Sequence, residues 1–229
     1  MTRPTPGRSG EELLLARISA AAGRERIGRR RATYPAAAHP APAHGLPARG
    51  IRRLLSPDRY GRPSAARAGA ARLDLYEHGM TIAVGGRIHV VRYDTTSVFR
   101  GSAPRGDGTT CTLTDVDGER VVLHGDAREW GAEVRRAVTG AQLPRALAAL
   151  GEGGRVVFGD VWLTGGEVGS GEVSARWPQV RNIEIHNGVV VTDLAGRQCR
   201  LGSGAAAVPN AFVFCALVQR LHPHVDGCG

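Results

Sequence analysis

The chain has no lysine: every one of its 30 Lys+Arg positions is arginine. A solvated cationic surface could use either residue, so this absence, with abundant Ala and Gly, reads as the bias of a GC-rich gene. Cysteine is scarce and scattered. Cys111, Cys199, Cys215 and Cys228 contain no C-x₂-C pair, which removes the zinc spacings and argues against a secreted disulfide framework. Cys215 lies in an apolar helical stretch, where small core filler is the usual role. Long apolar runs are missing as well. The longest, Ala211–Val218, is eight residues, far below the ~20 that span a bilayer. The start, MTRPTPGRSG, has no apolar h-region, so a signal peptide is not expected and a cytoplasmic protein is. Neither a G-x-S-x-G elbow nor a P-loop occurs.

What is present is an uneven charge. The net +9 divides into 14 Arg against 4 acids in residues 1–70 and 16 Arg against 17 acids in 71–229. The basicity thus belongs to the first 70 residues, expected to be a disordered Arg/Ala/Pro-rich tail. Within it Ser9-Gly10-Glu11-Glu12 has capping-box form, and Leu14, Leu15, Ile18 and Ala22 follow at helical spacing, so a short helix is expected over 11–31. Alone it would be solvated and frayed. Against an anionic membrane, Arg17, Arg24, Arg26, Arg29, Arg30 and Arg31 would sit among headgroups as a weak electrostatic anchor, with the apolar stripe inserted shallowly. Residues 32–50 are mostly Pro, Ala and His, an extended linker.

From Arg72 onward the pattern is strand and turn. Met80–Val84 and Arg87–Tyr93 flank Gly85-Gly86, and Cys111–Asp115 and Glu119–His124 flank Asp117-Gly118, both hairpin signals. Asp126 and Glu129 then suggest a capped helix whose face is Trp130, Val134, Ala137, Val138 and Ala141, interrupted at Gly140 and Pro144. The second half opens at Arg155. Ile183, Ile185 and Val189–Val191 bracket Asn187-Gly188, a two-residue hairpin turn. Val208-Pro209-Asn210 starts a helix with Phe214, Leu217, Val218 and Leu221 at i, i+3, i+4, i+7.

The two halves resemble each other. TLTDVDGERVVL (112–123) aligns without gaps on VVTDLAGRQCRL (190–201), with Thr114/Thr192, Asp115/Asp193, Gly118/Gly196 and Leu123/Leu201 identical. Tyr93, Thr96 and Phe99 match Trp177, Val180 and Ile183 in spacing, and both copies finish in an apolar-faced helix. The expected fold is mainly β (α+β): two tandem units at 71–151 and 152–223, each a bent antiparallel sheet closed by a helix, with 224–229 a disordered end.

Phe158-Gly159, Trp177-Pro178, a hairpin and Pro209-Asn210-x-x-Val213-Phe214 together resemble a family of uncharacterised actinobacterial proteins with a pleckstrin-homology-like domain of unknown function. The resemblance covers about 72–222 and implies a fold and no activity. Lipid-binding relatives of that fold carry basic residues around the first hairpin. Here those places hold Glu77-His78-Gly79 and Thr164-Gly165-Gly166-Glu167, which argues against phosphoinositide recognition.

His78, His89, His124 and His186 fall in the sheet region without a metal-ligand spacing, and Trp130, Trp162 and Trp177 read as packing residues. No catalytic, cofactor or metal residues are expected, and an enzyme is the last choice. The expected function is a non-catalytic binding or scaffold module for an unidentified protein partner, with peripheral contact to an anionic surface through the six arginines named above. The alternative is nucleic-acid binding by the Arg-rich tail, a less expected partner because the tail has few stacking aromatics and would bind weakly and salt-dependently.

Overall fold

The computed structural model describes residues 6–41, 69–102, 109–124, 129–186, 188–202 and 208–227. It is mainly β, with three helices and several open, largely antiparallel sheets. Helix α1 (Pro6–Arg24) leads into β1 (Arg30–Pro40), then β2 (Gly69–Tyr76), β3 (Gly79–Val84), β4 (Arg87–Arg92), β5 (Val98–Ser102), β6 (Thr109–Thr114), β7 (Arg120–His124) and α2 (Gly131–Gly151). These strands make one sheet in the order β4-β3-β2-β1-β7-β6-β5. The second half runs β8 (Val156–Phe158), β9 (Val161–Leu163), β10 (Glu167–Ser170), β11 (Val173–Arg176), a 3-10 turn at Trp177–Gln179, β12 (Val180–His186), β13 (Gly188–Asp193), β14 (Gln198–Leu201), α3 (Ala211–Leu221) and β15 (Asp226–Gly227). It forms two four-stranded sheets, β11-β10-β9-β8 and β14-β13-β12-β15.

The largest departure from expectation lies in residues 6–41, which are folded rather than a tail. Strand β1 sits mid-sheet, paired with β2 over Arg30–Ala38 and with β7 over Ala37–Pro40. Its alternation is made of small residues: Ala32, Tyr34, Ala36 and Ala38 turn inward while Arg31, Thr33 and Pro35 are exposed. Alanine gives a weak hydrophobic signal, and the prolines suggested a linker. Pro35 is tolerated because pairing with β7 begins only at Ala37, so a strand flanks it on one side. Residues 42–50 of the expected linker, and 51–68 of the expected tail, lie outside the described residues.

Helix α1 starts at Pro6 rather than at the Ser9 box and ends at Arg24, not Arg31. Arg26 (φ 52°) and Gly28 (φ 88°) then reverse the chain into β1. A Cβ at Gly28 would meet Glu77 at 2.7 Å, so this corner requires glycine. Ile18, Ala22 and Ile27 are buried against Tyr76, Ala83 and Val90 on the outer face of β2–β4. Burying an isoleucine is worth roughly 2 kcal/mol, which favours this docking over solvation.

Helix α2 also differs. Trp130 precedes it without a side-chain cap, Asp126 lies outside the described residues, and the helix runs unbroken through Gly140 and Pro144. Pro144 is on the exposed side, where one missing rung does not stop a helix held by Val134, Val138 and Leu150. Helix α3 follows the expected register, with Phe214, Leu217 and Val218 buried, and it packs on α2. Cys215 packs against the core as expected and is in addition disulfide-bonded. Residues 224–227, expected to be disordered, place Val225 in the core and pair β15 with β12.

Candidate functional site

The two halves set their aromatic anchors in the same way. Tyr93 follows β4 and Trp177 follows β11, both almost fully buried. The backbone N–H of Tyr93 donates to His78 O at 3.1 Å, and that of Trp177 to Gly166 O at 3.1 Å. The Trp177 indole N–H donates to Thr164 O at 2.9 Å. The Tyr93 hydroxyl bonds to the Tyr76 backbone, and burial pushes its pKa upward.

The aligned turns match bond for bond. Asp115 N donates to Glu119 O, and Asp193 N to Arg197 O, both at 2.9 Å. Gly118 N and Gly196 N donate back to Asp115 O and Asp193 O, at 3.1 and 3.0 Å, each glycine at φ 80°. Asp115 Oδ1 accepts from Glu119 N at 2.8 Å, and Asp193 Oδ1 from Arg197 N at 2.9 Å.

Beyond those shared bonds the two ends diverge. In the first half, Val116 N donates to Val90 O at 2.9 Å, and His89 Nδ1 lies 2.7 Å from Asp115 Oδ2 with both side chains 3% exposed. The edge of β4 is thereby tied to the β6–β7 turn. In the second half, Leu194 N turns away to Gln179 O at 3.1 Å, and Asp193 Oδ2 takes the Arg197 guanidinium at 2.7 Å. Hydrogen bonding to Arg197, through its backbone first and then its side chain, holds the Asp193 pKa low. Among the described residues nothing bonds the outer edge of β11. A pocket of about 420 Å³ opens between that edge and the β13–β14 turn, lined by Ser174, Ala175, Gln179, Val191, Leu194 and Cys199 among others. Val173 (51% exposed) and Leu194 (67%) stand in solvent beside it. This open end is the candidate site.

A second hollow, about 580 Å³, lies where β8 and α2 meet the start of α3. Its floor is Ala146, Val156, Phe158 and Val213, and its polar wall is the pair Asp94–Arg145. Asp94 also takes Arg92, whose hydrogen bond holds its pKa low. Arg155 stacks 3.9 Å over Trp162.

Among the described residues one group has metal-like proximity: ligand atoms of His89, Asp115 and Glu119 lie within 4.8 Å of one another. Each already has a partner, since Asp115 binds the turn and His89, while Glu119 takes Arg87 at 3.3 Å. The arrangement works as a clasp.

The six arginines expected to meet an anionic surface are all exposed. Arg17 donates to Gly86 O at 3.0 Å, Arg29 N to Glu77 Oε2 at 3.2 Å, and Arg30 lies 3.6 Å from Asp74. Arg24 ends α1, Arg26 is in its reversal, and Arg31 is on β1. They do not converge with the open end. The stripe expected to insert with them is partly used by the sheet, since Ile18 and Ala22 are buried and Leu14 packs on the same cluster. No helix among the described residues is long and apolar enough to cross a membrane.

The twelve-residue alignment located both turns. It gave no sign that His89 would shut one of them, because β4 and the turn meet only through the fold. Residues 65–225 match one protein-family model, whose description is a family of unknown function. No curated protein matches the chain.

Proposed function

The chain belongs to that family, DUF6585, and from its geometry we propose that it is a non-catalytic protein-binding module. In this reading it comprises two tandem pleckstrin-homology-like units, the second of which takes an extended partner segment at its open end. The duplication is supported by strand order: each half has a four-strand meander, a three-strand meander and a closing helix. The first unit then begins at β1, so its limits are about 30–151 rather than 71–151, and the second runs from β8 to α3.

The observation that carries the reading is the free edge of β11. Natural sheets tie, cover or charge their edges, because unpaired N–H and C=O groups recruit other strands. The first unit ties its β4 edge with Val116 and His89 and covers the outer face with α1. The second leaves the matching place open beside a pocket whose walls are apolar and polar and include the Asp193–Arg197 ion pair. An added strand would gain main-chain bonds from the edge and selectivity from the pocket, as in β-augmentation.

A photo-crosslinking residue at Val173 or Leu194 tests this. Both positions should yield protein adducts in cell extract, and a control at Leu13, 63% exposed on α1, should not. Adducts from Val173 and Leu194 no more abundant than from Leu13 would overturn the assignment.

A further inference from the structure

We infer that the strand received at β11 is β11 of a second copy of this chain, paired antiparallel about a two-fold axis through Ser174. This rests on the reading of the open end as a docking site and names its occupant.

The phase of β11 fixes which groups are available. Gly171-Glu172 is a two-residue turn, so Ser170 and Val173 are the closing pair of the β10–β11 hairpin. Antiparallel pairs alternate between hydrogen-bonded and non-bonded. Val173 and Ala175 therefore direct their backbone groups to β10, while Ser174 and Arg176 direct theirs outward. The same phase is visible in β4, where Val90, three residues before Tyr93, sends its carbonyl outward to Val116 N. Ser174 stands three residues before Trp177 and has no such partner among the described residues.

Two copies can use these outward groups only if outward residues face outward residues. With the axis through Ser174, Ser174 faces the partner's Ser174 and Glu172 faces the partner's Arg176. Val173 then faces the partner's Ala175. Glu172 and Arg176 are both exposed, and the two-fold makes the unlike pair twice. An axis through Arg176 would set like charges together at the 3-10 turn, and one through Ala175 would leave Arg176 facing a serine. Of these three registers only the one through Ser174 opposes unlike charges, which makes the edge self-complementary as an isologous two-fold contact requires. Pairing would also cover Val173, and Leu194 flanks the same edge. Ser174 and Ala175 are small enough not to obstruct the approach.

Sedimentation of the full chain over a range of concentrations should show a monomer–dimer equilibrium. Glu172→Arg and Arg176→Glu should each weaken self-association about ten-fold or more, because each sets like charges opposite one another at both ends. An equimolar mixture of the two variants should regain the dimer, since every facing pair is then unlike, and the double variant should regain it alone. Circular dichroism of each variant checks that the fold is kept. A wild-type dimer indifferent to both changes, or folded variants whose mixture stays monomeric, would overturn the inference. A monomeric wild type whose Val173 crosslinker still captures another protein would overturn this inference alone, whereas one that captures nothing would overturn the docking site as well.

Discussion

Asn210 and Val98 hold each other reciprocally: Asn210 N donates to Val98 O at 2.9 Å, and Val98 N donates to Asn210 Oδ1 at 2.8 Å. The residue that opens the last helix thus acts as a strand partner for the edge of β5, 112 positions earlier in the chain. Its amide also donates to Thr96 O and to Gln142 Oε1, both at 2.9 Å. Gln142 in turn donates to Tyr93 O and Thr96 O. One buried asparagine in the left-handed conformation (φ 51°) therefore joins β5, α2 and α3.

Asn210→Ala should cost about 2–4 kcal/mol, combining unsatisfied buried groups with the left-handed backbone penalty. Asn210→Gly relieves the backbone and should cost about 1 kcal/mol less. Urea unfolding measures both. A loss below about 0.5 kcal/mol for the alanine variant, the scale of an exposed site, would show that the halves do not depend on this residue.

Ile18→Ala reports on α1. Fully buried against the sheet, Ile18 should cost about 2–4 kcal/mol when truncated, and Leu13→Ala in the same helix should stay within about 0.5 kcal/mol. Equal, negligible effects would return α1 to a solvated extension.

Phe214 has no exposed surface and meets Phe158 edge-on at 5.5 Å between ring centres. Phe214→Ala should cost about 3–5 kcal/mol, a large share of a typical total of roughly 5–15 kcal/mol. A thermal or urea midpoint close to wild type would contradict the packing of α3.

Acid should weaken the fold in two separate windows. Burial, together with the His124 ring 2.9 Å away, holds the His39 pKa below 6.5. Burial and His224 do the same to His222, stacked 4.0 Å over Trp177. A lowered histidine pKa means that the unfolded chain takes up protons first as pH falls. The stability these neutral rings confer is complete above pH 6.5 and declines below it, until the folded values are passed. Asp94 and Asp193 are held below 3.8, so their share is lost only at more acid pH. The urea midpoint should therefore drop between about pH 7 and pH 5, the range in which histidine ionises. Combined His39→Gln and His222→Gln substitutions should flatten that portion of the curve. A wild-type midpoint that is level across this window would refute the assignment.

Much of the sheet was legible because its strands carry strong local signals. Apolar and β-branched residues crowd positions 80–84 and 88–91, and Gly85-Gly86 between them marks a turn. The helix register at Phe214 was legible for the same reason. β1 was not, since Ala32, Ala36 and Ala38 bury little surface each and gain their place from β2 and β7. The break expected at Pro144 failed because tertiary packing of Val138 and Leu150 outweighs one lost rung. At the candidate site, spacing pointed to Asp115 and Asp193. That one turn is clasped and the other free depends on where His89 and Leu194 N–H come to lie, which is a long-range matter that neither residue's neighbours encode.

The position of β1 has a practical consequence. The family segment begins at residue 65, yet the strand that joins β2 to β7 is Arg30–Pro40. A fragment cut at 65 would retain both neighbours and lose what lies between them, leaving two rows of unpaired backbone groups facing a vacant slot. Such a fragment should aggregate on its own and be rescued in trans by a peptide spanning residues 30–40, so that the truncated sheet becomes a receptor for its own missing strand.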